Sequence, residues 1–562
     1  MFTFQFLQME NDYHFSSHTI NSLNASSLSS DISGLAKFSG EWNFESAAHL
    51  FRRTTFGATG SQIKEAAKSS LDEVMDLLFA EIELPSEPIN YRFDEDPYVP
   101  IGESWVGKPV VRSDQAPMIA SYRRSSIRVW QLDNLINSDL NIREQMTLFW
   151  HSHFVTEMET VRDASFTYHY ITKLRENATG NFKLLTELIT LDPSMLRYLN
   201  GNQNSNSAPN ENYARELLEL FTIGKGQLAG EGDYTTFTEQ DVTEAAKVLT
   251  GWRDTGYFGR DDQEVGALFI PGRHDRTTKQ LSHRFGNAQI SNQGEEEYRT
   301  LIDIIFQQEE VSKFICRKLY RWFVYYEITD DIEEQIITPL AAILRESNFE
   351  VAPMLRTLLS SQHFFDICSV GPMIKNPIVF LVSLLRQNSV SLPENDLLRR
   401  YAVLFRLTRS IDTAEMSYFD PPSVAGWKAY YQEPLFYRIW ISSVTLRNRQ
   451  NITEAVSSGQ IRIAGFSVTV DLIDYISTFD DPYDPNTLIN EFVANLFPQP
   501  ISQEQSAFLK EILIPGLPDF EWTVEYELYL NDPNNEETRQ SVDQKLRNFF
   551  SALLKMPEYY LS

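Results

Sequence analysis

From Trp42 onward, apolar residues return at intervals of three and four, a period that predicts amphipathic α-helices rather than strands. The pattern is continuous through "FESAAHLFRRTTFGATGSQIKEAAKSSLDEVMDLLF", where Ser61 and Ser70 stand at expected N-cap positions. A Pro-rich, irregular stretch covers residues 85–117, and helical patterning resumes in "MIASYRRSSIRVWQLDNLIN", "REQMTLFWHSHF", "TYHYITKLRENA" and "FKLLTELIT". In "LDPSMLRYLN", Asp192 and Pro193 read as an N-cap followed by the first helical residue. The polar loop 200–211, "NGNQNSNSAPNE", then delivers the chain into another helix.

Between Gly251 and Ile290 the period breaks, and glycines around "ALFIPG" predict a long loop with a small β-hairpin. Helices dominate again from Glu297, and Asp480–Thr487, "DDPYDPNT", reads as a turn cluster. No fixed period repeats, which disfavours a solenoid. The expected fold is therefore mainly α: a large helical domain with long irregular loops. Residues 1–40, rich in Ser and Asn, form a partly ordered tail; 41–330 and 331–562 are two helical regions packed into one body.

Composition narrows the function. With 42% hydrophobic and 13% aromatic residues the chain is globular rather than disordered. Its net charge of -28, from 77 acidic and 49 basic residues, disfavours nucleic acid and anionic lipid as partners. No apolar run reaches the roughly 18 residues of a membrane helix. Cys316 and Cys368 are too few for a disulfide framework or a cysteine zinc cluster. The N-terminus "MFTFQFLQMENDYHF" lacks the charge and apolar run of a signal peptide, so the default location is cytoplasmic.

Three stretches could carry chemistry. In "TLFWHSHFVTE" a helix through Glu157 would turn His151 and His153 roughly 160° apart and set Glu157 one turn beyond His153 on its face. A His and a carboxylate so spaced can share a metal or simply a hydrogen bond, and each histidine alone is more often a core residue than a ligand. In "NENYARELLELFTIG" an apolar face opposes Asn212, Arg215, Glu216 and Glu219. That polar stripe is either a solvated face or a pocket wall on which Arg215 holds one carboxylate bidentately, and Gly224 ends the helix. In "RHDRTTK", His274 and Asp275 could be ligands or a base with its orienting acid, while Lys279 could hold an anionic substrate group. Nucleotide-loop, Rossmann, H-E-x-x-H and G-x-S-x-G motifs are absent, so no nucleotide cofactor is expected.

These stretches, with "AAHLFRRTTFGAT", "NATGNFKLLTELITLDPSMLRYLN", "FTEQDVTEAAKVLTGW", "FICRKLYRWFV", "PPSVAGW" and "LLKMPEYYLS", resemble in order the bacterial domain of unknown function 1800 family. The resemblance spans residue 45 to the end and implies a mostly helical domain. It places His151, His153, Asn210, Glu211, Asn212, Arg215, Glu216, Glu219, His274, Asp275 and Lys279 in signature blocks, which suggests one assembled site. It also implies a sulfatase-like or phosphatase-like partner encoded alongside, and export in many members.

Together these readings lead to an expected metal-dependent enzyme, a hydrolase or an oxidoreductase. His153, Glu216, Glu219, His274 and Asp275 are its candidate ligands for Zn, Mn or Fe. His151, Arg215 and Lys279 are its candidate catalytic residues. The alternative is a non-catalytic scaffold or binding partner in which the same residues form a buried polar network. A carbohydrate or peptide binding module would rest only on the abundance of Trp and Tyr, which core packing explains as well. "PPSVAGW" is expected to pack Trp427 on the helical body.

Overall fold

The computed structural model describes residues 34–259, 263–459 and 461–562. Among them α-helices dominate, and the sheets are four two-stranded antiparallel ribbons, so the mainly α expectation holds. The tail assigned to residues 1–40 lies, as far as Ser33, outside the described residues. No helix of the described residues is long and apolar enough to cross a membrane.

Short-range signals set many helix ends. Asn43 caps the helix Phe44–Thr54, which carries Arg52 and Arg53 in its last turn. The next helix, Gly60–Lys68, is capped by Thr59 rather than Ser61, because Thr59 has a glutamine three residues on that returns the hydrogen bond. Ser61 would face Lys64, which cannot. Ser70 does cap Leu71–Leu78, reciprocally with Glu73. Asp192 caps Pro193–Tyr198 as its sequence predicts. The turn at 480–487 is shorter than expected, since Asp484 and Pro485 form the same N-cap and first-residue pair and start the helix Pro485–Leu496.

The predicted hairpin pairs Trp252–Thr255 with Gly266–Phe269, and a shorter ribbon joins Lys279–Gln280 to Gln289–Ile290. Buried apolar side chains from Ala47 to Tyr560 form one contiguous cluster. Near its centre runs the helix Arg143–His153, on which Trp150 stacks with Phe154 and Phe182. Burying an aromatic ring of this size contributes on the order of 1.5–3 kcal/mol.

The helix Asn212–Glu216 widens into a π-helical segment, Leu217–Thr222, before Gly224 ends it with φ +77°. Two further helices, Glu297–Phe306 and Glu309–Phe323, supply charged groups to the core.

Candidate functional site

The Arg143–His153 helix stops at its second histidine, where Phe154 turns out with ψ 63°. Glu157 is therefore not one helical turn beyond His153. It accepts instead from the Tyr198 and Thr160 hydroxyls, at 2.9 Å each. His153 is buried and uses both ring nitrogens: Nε2–H donates to the Phe221 carbonyl at 2.9 Å, and Nδ1 accepts from the Lys318 ammonium at 2.9 Å. Lys318 also reaches the Leu220 carbonyl at 3.4 Å. Both carbonyls sit at the end of the π segment, where a helix has no donors of its own and favours positive charge. His153 and Lys318 thus act as a cap supplied by two other helices. Burial, with the nearby Arg321 charge, pushes the Lys318 ammonium down to about 7.

His151 lies in a different environment. Its ring stacks on Tyr418, meets Trp427 edge-on, and packs against Tyr170 and Phe419. The Tyr170 hydroxyl donates to the Phe154 carbonyl, so its oxygen accepts from His151 Nδ1–H at 3.1 Å. That tautomer leaves Nε2 a buried acceptor with no hydrogen-bond partner among the described residues. Burial holds the ring neutral by pushing its pKa to about 3. Tyr418 continues into a buried network in which Gln131 donates to its hydroxyl and Arg175 grips Glu144 through Nε and Nη2 at 2.7 and 3.0 Å. Trp427 is buried over this region, the packing role expected for "PPSVAGW".

Arg215, Glu216 and Glu219 share a partly exposed face. Arg215 does make a bidentate contact, but to Glu239, at 2.9 and 2.7 Å, with Glu211 at 3.2 Å on the same guanidinium. It does not hold Glu216 or Glu219, because Glu239 comes from the helix Glu239–Val248 packed alongside. Glu219 pairs with Lys225 at 3.2 Å. Glu216 makes no hydrogen bond among the described residues, and burial, with the Glu219 charge, pushes its carboxyl up to about 7.

His274 and Lys279 belong to a fourth place, a knot buried around Glu297. His274 Nε2 lies 2.9 Å from Glu297 Oε1, and its Nδ1 lies 2.9 Å from the Thr250 carbonyl. Lys279 donates to Glu297 Oε2 and to the Asp275 carbonyl, both at 2.6 Å. The Gln293 N–H adds a further donor to Glu297. The side chains of His274, Lys279 and Glu297 all have essentially no exposure. The Asp275 carboxylate accepts from Thr277 N–H and its hydroxyl and stays 3.9 Å from the Lys279 ammonium.

The structure thus distributes the predicted site residues over four places instead of one cavity. A metal shared by His153, Glu216, Glu219, His274 and Asp275 does not fit this arrangement. His153 Nδ1 already accepts a hydrogen bond from the Lys318 ammonium, and the two nitrogens of His274 are occupied by the Glu297 carboxylate and the Thr250 carbonyl. Among the described residues no group of three or more His, Cys, Asp or Glu is placed to hold a metal ion.

Sequence reasoning missed Glu297 and Lys318. Glu297 is the last of three consecutive glutamates at a helix start, where negative charge is ordinarily solvated and favourable for the helix dipole. Lys318 sits in "FICRKLYRWFV", a block noted as a signature but read for its apolar period alone.

Helices joined by a few small antiparallel ribbons, with polar side chains buried between them, define a mainly α protein. The chain belongs to the family described as protein of unknown function (DUF1800), whose model matches residues 49–561. No curated protein and no solved structure matches the chain.

Proposed function

We propose that the protein is a helical scaffold or binding partner whose signature polar residues fix helix packing. The observation that carries this reading is the Glu297 knot: its two oxygens engage His274 and Lys279, and His274 gives its other nitrogen to the backbone. Such a network orders helices and loops without leaving a ligand position open. Its protein partner, following the family resemblance, is a sulfatase-like or phosphatase-like protein. The rival is the metal-dependent hydrolase or oxidoreductase. Elemental analysis of protein purified without chelator or His-tag separates them, alongside His274→Ala and Glu216→Ala. The scaffold reading expects no stoichiometric metal, a destabilised His274→Ala and a well-folded Glu216→Ala. Near-stoichiometric Zn, Mn or Fe that both substitutions remove would overturn it.

A second reading rests on Glu216. A half-buried carboxyl near pKa 7, beside a π-helical segment, has the properties of a proton-transfer group. The raised value means that the folded state holds this proton more tightly than the unfolded chain, whose carboxyl titrates near 4.5. Stability from Glu216 is fully present below that pH and is lost as pH rises through about 7. Glu216→Gln should therefore raise Tm relative to wild type more at pH 8 than at pH 4.5. An equal gap at the two pH values would remove Glu216 from consideration as a proton-transfer group.

A further inference from the structure

Arg52 and Arg53, adjacent at the end of the Phe44–Thr54 helix, are both more than nine-tenths buried, with exposures of 8% and 5%. Neither forms an ion pair with any described residue; Glu45, on the same helix, acts on Arg52 only at longer range. Their partners are neutral carbonyls: Arg52 Nη2 donates to Ala494 and Asn495, and Arg53 Nη2 to Ser369. The Nε of each has no hydrogen-bond partner among the described residues. Lys375, 3% exposed, donates to the Tyr559 carbonyl and likewise has no carboxylate. Arg449 lies behind it, fully buried, bonded through Nη2 to the Lys375 carbonyl, with Nε and Nη1 lacking a hydrogen-bond partner among the described residues.

Isolated buried cations are costly, and an unmatched buried N–H costs about 1–3 kcal/mol. A concentration of four without a carboxylate therefore calls for an acceptor that the chain's described side chains do not supply.

Space for one exists. Arg52, Arg53 and Lys375 line a common cavity of about 40 Å³, together with Gln145, Asn376 and Tyr437. One water needs about 10–15 Å³ by this kind of measure, so the cavity has room for a group of a few oxygen atoms and no more. The helix Pro377–Gln387 begins at its wall, with Asn376 as N-cap, and so presents its positive end there. Charge and size select the same ligand chemistry.

We propose that this cavity is a binding site for a small oxyanion, held by the guanidinium groups of Arg52 and Arg53 and the ammonium of Lys375. The shared chemistry is that of phosphate, sulfate or a small carboxylate: compact, negative and rich in acceptors. This goes beyond the scaffold reading and does not depend on it, because no residue of the Glu297 knot or the His153 cap lines the cavity.

The test uses the full chain, exchanged into a buffer whose only anion is chloride. Inorganic phosphate, sulfate and acetate are titrated separately at constant ionic strength, with Tm and calorimetric heat as readouts. At least one should raise Tm saturably, with 1:1 stoichiometry, and the three arms identify which oxyanion the cavity prefers. Arg53→Lys should keep the fold and weaken binding at least tenfold, since an ammonium cannot make the forked contact. Lys375→Met should abolish the response and, by removing an unpaired charge, melt no lower than wild type in chloride alone. Overturning results are a Tm that responds equally to sodium chloride, or full oxyanion binding in both variants. A Tm insensitive to every oxyanion but lowered by removing Ser562, which also lines the cavity, would instead place the chain's own group there and likewise overturn the proposal.

Discussion

Glu297→Ala should destabilise the protein by about 3–5 kcal/mol, the usual consequence of removing one partner from a buried ion pair. The substitution leaves the fully buried Lys279 with one hydrogen-bond acceptor, the Asp275 carbonyl, and only a 3.9 Å contact to the Asp275 carboxylate, and it leaves His274 Nε2 facing a void. Urea unfolding should show the loss globally, and hydrogen exchange should show it first along residues 274–297. Glu297→Gln should cost less, because an amide can still accept from one neighbour while removing the negative charge. A double replacement by packed apolar residues, Glu297→Leu with Lys279→Met, should recover part of the loss, since it removes the charges together. A loss for Glu297→Ala under about 1 kcal/mol, the range of exposed pairs, would show that water reaches the knot.

The second large effect is expected at Gly426. A Cβ placed there would stand 2.4 Å from the Ser152 carbonyl oxygen and 2.9 Å from its hydroxyl oxygen, at a backbone φ of +90°. The left-handed conformation costs a non-glycine residue about 1–2 kcal/mol. Relieving the clash adds about 1–3 kcal/mol, because the obstacle is helix backbone that cannot rotate aside. Gly426→Ala should therefore lose about 2–5 kcal/mol in all. It should also lift Trp427 from His151, with a changed tryptophan emission. Unaltered emission with near wild-type stability would mean that the loop moves freely over the histidine helix.

Both sites show what the sequence can and cannot carry. Periodicity made the mainly α fold legible, and Asp192–Pro193, Ser70 and the 251–290 hairpin were legible because their causes lie within a few residues. Gly426 was invisible as a contact: its requirement comes from Ser152, far away in the chain. The end of the helix at His153 was equally invisible, because its aromatic period runs on through Phe154 while the backbone turns away. Glu297 looked like one more solvated glutamate, and its burial depends on His274 and Lys279 arriving from the preceding loop. The burial of Arg52 and Arg53 has no local signal either; only the packing of residues around 369, 375 and 494 encloses them. The mutual arrangement of the candidate site residues was not legible, because long-range packing decides it.

The buried arginine helix also has a consequence in time. Arg52 donates to the carbonyl of Ala494, 442 residues later in the chain. At a synthesis rate of about 5–20 residues per second, the helix waits roughly 20–90 s for that acceptor to be made. During that interval its guanidinium groups are best solvated in water, so the amino-terminal helix cannot take its final seat while the chain is still emerging. A later-made segment closes an earlier-made one, and a nascent chain halted before Ala494 should stay open at that seam, accessible to proteases and holding chaperones.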